Sequence, residues 1–165
     1  MNLLEEIGTQ KNLDIESIEK IDLEIGPVAS TAASIKEPQK GVEGKFSVWF
    51  LAALALAEGS VTLAKFTDEK VNDPRLVRLR RKIETHLDPR IGFGARFCIR
   101  MKDGTEHKGF LAKPKGDPDN PLSFGELTKK FRSAAGLVKS NKEVEALIAS
   151  IQKLETVYDM NDLAY

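Results

Sequence analysis

The 165 residues contain one cysteine, Cys98, and two histidines, His86 and His107. One cysteine cannot close an internal disulfide, and no Cys or His cluster has zinc spacing, so a structural metal is not expected. Net charge is absent too: 25 Lys and Arg balance 25 Asp and Glu, which argues against a nucleic-acid-binding surface. No apolar run is long enough for a membrane. The longest, residues 48–57, covers about 15 Å as a helix, roughly half of a hydrocarbon core, and reads as a buried helix. The opening residues carry Glu5 and Glu6 in place of a basic start and an apolar run, so no signal peptide is expected and a cytoplasmic location is. Walker-type phosphate loops, GxSxG elbows and HExxH motifs are missing. Gly92-Phe93-Gly94 precedes a strand where a dinucleotide fingerprint would follow one, so it reads as structural.

What remains is ordinary globular material: 41% hydrophobic residues, enough for one sizeable core in one domain or one plus a small appendage. Leu3, Leu4 and Ile7 suggest a helix fragment in residues 1–10, abrupt enough to hint at sequence upstream. Ile21, Leu23 and Ile25 alternate with Asp22 and Glu24, predicting a half-buried strand over residues 18–25 that Gly26-Pro27 stops. Residues 28–44 read as a surface segment or mobile loop. Ser47 is placed to cap the apolar helix and Gly59 to end it; apolar all round, that helix must be buried on most sides. A short helix is expected within residues 61–70. Another starts at Asp73-Pro74, striped by Leu76, Leu79 and Ile83, with His86 in its last turn. Its opposite face carries Arg75, Arg78, Arg81 and Lys82, which at zero net charge reads as solvated rather than as a binding patch.

Ala95, Phe97, Ile99 and Met101 alternate with polar residues up to Asp103-Gly104, predicting a hairpin with a two-residue turn and a return strand to about residue 113. Prolines 114, 118 and 121 mark a rigid connector. Two capping boxes, Ser123 with Glu126 and Ser140 with Glu143, then open amphipathic helices; the second carries the stripe Val144, Leu147, Ile148, Ile151, Leu154 and must meet a partner surface. The expected class is α+β, a small, mostly antiparallel sheet of at least three strands packed with helices.

His86 and His107 read as surface or structural groups, and Cys98 as an inert strand thiol, although Arg96 and Arg100 share its side. The more suggestive segment is Gly41-Val42-Glu43-Gly44-Lys45-Phe46-Ser47, where glycine-flanked backbone leads into a helix N-terminus. Two readings stand there equally: an ordinary Ser N-cap beside a solvated lysine, or an anion site in which Lys45 and Ser47 add charge and a hydroxyl.

Gly44-Lys45-Phe46-Ser47 before an Ala/Leu helix ending in Glu58-Gly59, then Val61-Thr62-Leu63, Phe66-Thr67-Asp68-Glu69, Val71-Asn72-Asp73-Pro74, Lys102-Asp103-Gly104, the run from Pro114 to Ser123 and Lys129-Lys130-Phe131-Arg132 together resemble the C-terminal part of the MmgE/PrpD family. The match is ordered and spans most of the chain. The resemblance implies kinship with 2-methylcitrate dehydratases, cis-aconitate decarboxylases and an iminodisuccinate epimerase. These lyases and isomerases act on small polycarboxylates by proton removal beside a carboxylate, with no required metal or organic cofactor. It also implies a lid domain of that family type over residues 1–137, with the partial helix at 1–10, and a tail over residues 138–165 that returns to a helical domain. In the family that upstream domain supplies most acid/base groups, so no catalytic residue is assigned. Lys45, Phe46 and Ser47 are expected to bind substrate carboxylate. The expected partners are a small polycarboxylate, an upstream helical domain or separate polypeptide, and further copies of the chain in a homo-oligomer such as a dimer. Neither nucleic acid nor a membrane is expected. The alternative is a non-enzymatic, self-associating module.

Overall fold

The computed structural model describes Leu4 and residues 13–159; apart from Leu4, which is helical and buried, the expected helix at 1–10 lies outside the described residues. The alternation read in the sequence forms β1, Ile18–Ile25, with Ile21, Leu23 and Ile25 buried. Three strands join it: β2, Ile83–Leu87, β3, Ala95–Met101, and β4, Glu106–Leu111, in the order β2-β1-β3-β4. β3 runs antiparallel to both β1 and β4, whereas β2 runs parallel to β1. The class is α+β and two of the three strand pairings are antiparallel, as expected; the parallel pair makes the sheet mixed rather than purely antiparallel.

The parallel strand is the main departure from the sequence reading. The helix opened by Asp73-Pro74 ends at Arg80, and Ile83 begins β2 instead of closing a helical stripe. The backbone is drawn into the sheet there: Ile21 N–H donates to the Lys82 carbonyl at 2.9 Å, and Ile83 pairs with Ile21. Pairing with β1 overrides a helical period that only three residues carried. His86 therefore sits in a strand.

Seven α-helices lie among the described residues: α1 Pro27–Ala32, α2 Gly41–Gly44, α3 Val48–Glu58, α4 Asp68–Val71, α5 Pro74–Arg80, α6 Phe124–Ala135 and α7 Asn141–Ile151. Two of them, α1 and α2, fall in the segment read as loop; Pro27 at the first helical position starts α1. The helix expected within 61–70 is broken in two, a 3₁₀ turn at Leu63–Lys65 and then α4, because the Thr67 hydroxyl accepts Lys70 N–H at 3.2 Å and starts a new helix. The apolar helix behaves as read: Ser47 caps α3, Gly59 ends it at φ 61°, and Phe50, Ala52, Ala53, Leu54 and Ala55 are fully buried. Its side chains form one core with Leu4, Val71, Leu76, Leu79 and the inner face of the sheet.

The hairpin has three loop residues, not two. Met101 N–H donates to the Thr105 carbonyl at 2.8 Å, Gly104 N–H donates to the Met101 carbonyl, and Gly104 takes φ 86°. Asp103 precedes the left-handed position and accepts Thr105 N–H at 2.8 Å. Gly104→Ala is expected to cost about 1 kcal/mol, read by urea unfolding, because alanine strains at that φ although open space surrounds it.

By compactness the chain divides into residues 1–121 and residues 122–165. Among its described residues the second unit is a helical hairpin. Both capping boxes form, with Ser123 Oγ accepting Glu126 N–H and Ser140 Oγ accepting Glu143 N–H, and Arg132 forms a two-pronged ion pair with Glu145. Ser140→Ala is expected to cost about 1 kcal/mol of helix stability, measurable as lost helical ellipticity on mild heating.

Candidate functional site

The segment 41–47 is built by packing. A Cβ on Gly41 would stand 2.2 Å from the Phe66 carbonyl oxygen, and one on Gly44 would stand 2.9 Å from the Phe50 ring. Glycine is required at both places for close approach, and no phosphate cradle is needed to explain it. Glu43 folds back to accept the N–H groups of Gln39 at 2.7 Å and Lys40 at 3.1 Å, which holds its carboxyl below the usual carboxylate range. Gly41 N–H donates to Asp68 Oδ1 at 2.7 Å.

The segment then crosses residues 33–35 in a short antiparallel bridge: Ile35 N–H donates to the Phe46 carbonyl and Val48 N–H to the Ala33 carbonyl. Those bonds decide the anion question in part. Val48 N–H is taken by Ala33, Phe50 N–H by Ser47 Oγ at 3.1 Å, and Leu51 N–H by the Ser47 carbonyl. Most of the N–H groups that would receive an anion at the start of α3 are occupied. Ser47 is fully buried as a cap. Lys45 and Phe46 are exposed, and the Lys45 ammonium stands 5.8 Å from the centre of the Phe66 ring. The three residues thus divide the work: a buried hydroxyl fixes the turn, and a cation and a ring are presented outward. A lysine ammonium so placed can neutralise a carboxylate as a point charge.

Neither histidine shares this segment. His86 on β2 sits 3.0 Å from Asp22 Oδ1, and His107 lies on β4 opposite Ile99. The outer face of the sheet carries a charged cluster that the sequence analysis missed. Lys20 Nζ lies 3.0 Å from Asp22 and 2.9 Å from Glu84, with His86 beside them. The hydrogen bond from His86, followed by Lys20, holds the Asp22 carboxyl below its usual range against partial burial. The ligand atoms of Asp22, Glu84 and His86 lie within 4.8 Å of one another, and the Lys20 ammonium bridges the two carboxylates. Alternation shows Lys20 and Asp22 sharing a face; only the unrecognised β2 brings Glu84 and His86 to them. Cys98 is half-buried opposite Asp22 and Lys108. On the basic helix face, Arg75 pairs with Asp73 and Arg78 with Glu16, as a solvated face does.

Beyond β2, Asp88 accepts hydrogen bonds from the Arg90 side chain and backbone, which pull its carboxyl down to about 2. The folded pKa lies below the unfolded one, so this contribution to stability is complete above about pH 4 and fades as pH falls towards 2. The stability difference between the wild type and Asp88→Asn is expected to shrink over that window in acid urea titrations.

A four-stranded α+β domain, presenting one lysine from a packed glycine turn and followed by a helical hairpin, defines the class structurally. The model of the MmgE/PrpD C-terminal domain matches residues 1–156, and the chain belongs to that family. It is 30% identical over 131 residues to the cis-aconitate decarboxylase of Mus musculus, a match covering 76% of this chain and 27% of that protein. It is 29% identical over 126 residues to the Homo sapiens cis-aconitate decarboxylase, covering 73% and 26%, and 26% identical over 139 residues to that of Aspergillus terreus, covering 78% and 28%. The chain therefore spans about a quarter of the length of these relatives. No helix among the described residues is long and apolar enough to cross a membrane.

Proposed function

We propose that this chain serves as the lid portion of a cofactor-independent lyase acting on small polycarboxylates, and that Lys45 binds one substrate carboxylate. Phe46 flanks that carboxylate and Ser47 holds the turn that presents both. The observation that carries the reading is the exposed Lys45, set on a turn fixed from within by Gly41, Gly44 and Ser47, in a domain whose relatives are decarboxylases. Decarboxylation of cis-aconitate is the favoured reaction on the strength of those relatives; dehydration of 2-methylcitrate or an epimerisation keeps the same carboxylate contact.

Removing carbon dioxide leaves an electron pair on carbon that a proton must quench, and one lysine cannot both hold a carboxylate and serve that carbon. The proton-transfer groups belong to a helical body, joined upstream or supplied as a separate polypeptide. On this reading the purified chain binds cis-aconitate weakly and releases no carbon dioxide. A carbon dioxide assay with the chain alone tests it, and turnover that survives Lys45→Met sinks it.

Residues 1–137 form the lid on this reading, and the tail over residues 138–165 packs on that body. The helical hairpin supplies a specific reason to expect a partner: α6 and α7 border an apolar hollow of about 420 Å³, lined by Phe124, Leu127, Phe131, Ala134, Ile148 and Ile151. A homo-oligomer that buries this hollow is the second reading, a self-associating module. Light scattering at micromolar concentration that finds only monomer counts against it.

A further inference from the structure

Besides the bridge to residues 33–35, the turn that carries Lys45 is tied down by one further stretch of chain. Asp68, Asn72 and Arg80, all in the stretch that forms α4 and α5, hold its approach. Asp68 accepts Gly41 N–H, Asn72 Nδ2 donates to the Gln39 carbonyl at 3.0 Å, and Arg80 Nη2 donates to Glu37 Oε2 at 3.1 Å. The third tie is unlike the others. The Arg80 side chain is only 3% exposed, whereas its carboxylate partner is 52% exposed on the loop.

A guanidinium at that depth is always charged and is costly to bury without a counter-charge. Nη1 of Arg80 donates to the Val71 carbonyl at 3.0 Å, and Nε meets no partner among the described residues. The Glu37 carboxylate is its ion-pair partner, so residues 35–40 are drawn to a fixed anchor in the core side of α5. From Glu37 the constraint passes forward through short steps. Gln39 N–H donates to Glu43, Phe46 N–H donates to the Glu43 carbonyl at 2.9 Å, and Ile35 N–H donates to the Phe46 carbonyl at 3.0 Å.

We infer that Arg80, acting through Glu37, is a positioning residue for Lys45: the pair locks residues 35–47 and thereby sets where the Lys45 ammonium stands. This rests on the reading of Lys45 as the carboxylate ligand. A lysine on an exposed turn is otherwise free to sample many rotamers and backbone positions, and ordering it beforehand lowers the cost of binding.

The test uses the full ¹⁵N-labelled chain. In Glu37→Ala, amide hydrogen exchange at Gly41, Gly44 and Phe46 is expected to quicken at least tenfold, while Ile21 and Ile99 in the sheet keep their rates. The dissociation constant for cis-aconitate is expected to rise at least threefold. Glu37→Gln, which keeps an acceptor oxygen for Arg80 but not the charge, is expected to restore part of both. Should the alanine variant not fold, Glu37→Ser repeats the measurement with more room for water at the guanidinium. Unchanged exchange at the three turn amides overturns the inference, as does equal acceleration at Ile21 and Ile99, the mark of general destabilisation. Faster exchange with unchanged affinity overturns it too. A wild-type chain that binds no cis-aconitate overturns the reading of Lys45 itself, and the exchange pattern, measured without ligand, separates that failure from the failure of the latch.

Discussion

Phe50→Ala is expected to lower the unfolding free energy by about 3–5 kcal/mol, the range for truncating a buried aromatic. Phe50 has no exposed surface, its ring centre lies 6.2 Å from that of Phe66, and the backbone at Gly44 rests against it. α3 lies in the same buried cluster as the inner face of the sheet, so the void has little freedom to collapse. Against a total of about 5–15 kcal/mol for a domain, the variant stands close to unfolding at 37 °C. The melting temperature is expected to fall by roughly 10 °C at 2–4 °C per kcal/mol. The damage reaches the candidate site because the ring that fills the core also supports the glycine turn. Urea unfolding with matched slopes checks the figure; a loss below about 1 kcal/mol would mean the ring is not the keystone of α3.

Lys45→Met is expected to weaken cis-aconitate binding by about 10- to 100-fold. A hydrogen bond to a charged partner is worth about 1.5–3 kcal/mol, and each 1.4 kcal/mol is tenfold in affinity. Methionine keeps the length and the apolar stem while removing the charge, and Lys45 is exposed, so stability is expected to stay within about 0.5 kcal/mol of wild type. Lys45→Arg is expected to retain most of the affinity, since a guanidinium also satisfies a carboxylate. Wild-type binding is expected to weaken with added salt, as an exposed charge pair does. Calorimetric titration at two ionic strengths reads both effects, and equal affinities for wild type and Lys45→Met would remove Lys45 from the site.

Where local chemistry dictates structure, the sequence was a sufficient guide. Ser47, Gly59, the two capping boxes and the alternation through β1 and β3 each act within four residues, and each appears where it was read. The failures are long-range. Ile83 to Leu87 reads as the end of a helix until β1, some 60 residues earlier, offers it a parallel partner; His86 and the cluster around Asp22 were hidden for the same reason. α1 and α2 are short helices fixed by their surroundings, as the close approach of Gly41 to Phe66 shows. At the candidate site the residue types were legible but their roles were not. Local sequence suits Ser47 both as a cap and as an anion ligand; the bridge that takes Val48 N–H, and Ser47 itself, which takes those of Phe50 and Leu51, favour the cap. Nothing local sets Arg80 apart from its four basic neighbours, Arg75, Arg78, Arg81 and Lys82, because the burial of one of them is a tertiary fact.

The most direct measurement is a heteronuclear NMR titration of the labelled chain with cis-aconitate at low salt. Carboxylate capture by Lys45 predicts saturable amide shifts concentrated at Lys45, Phe46 and Ser47 and spreading to Gly44 and Phe66. Shifts centred instead on Lys20 and His86 across the outer face of the sheet, or none at millimolar ligand, would contradict it.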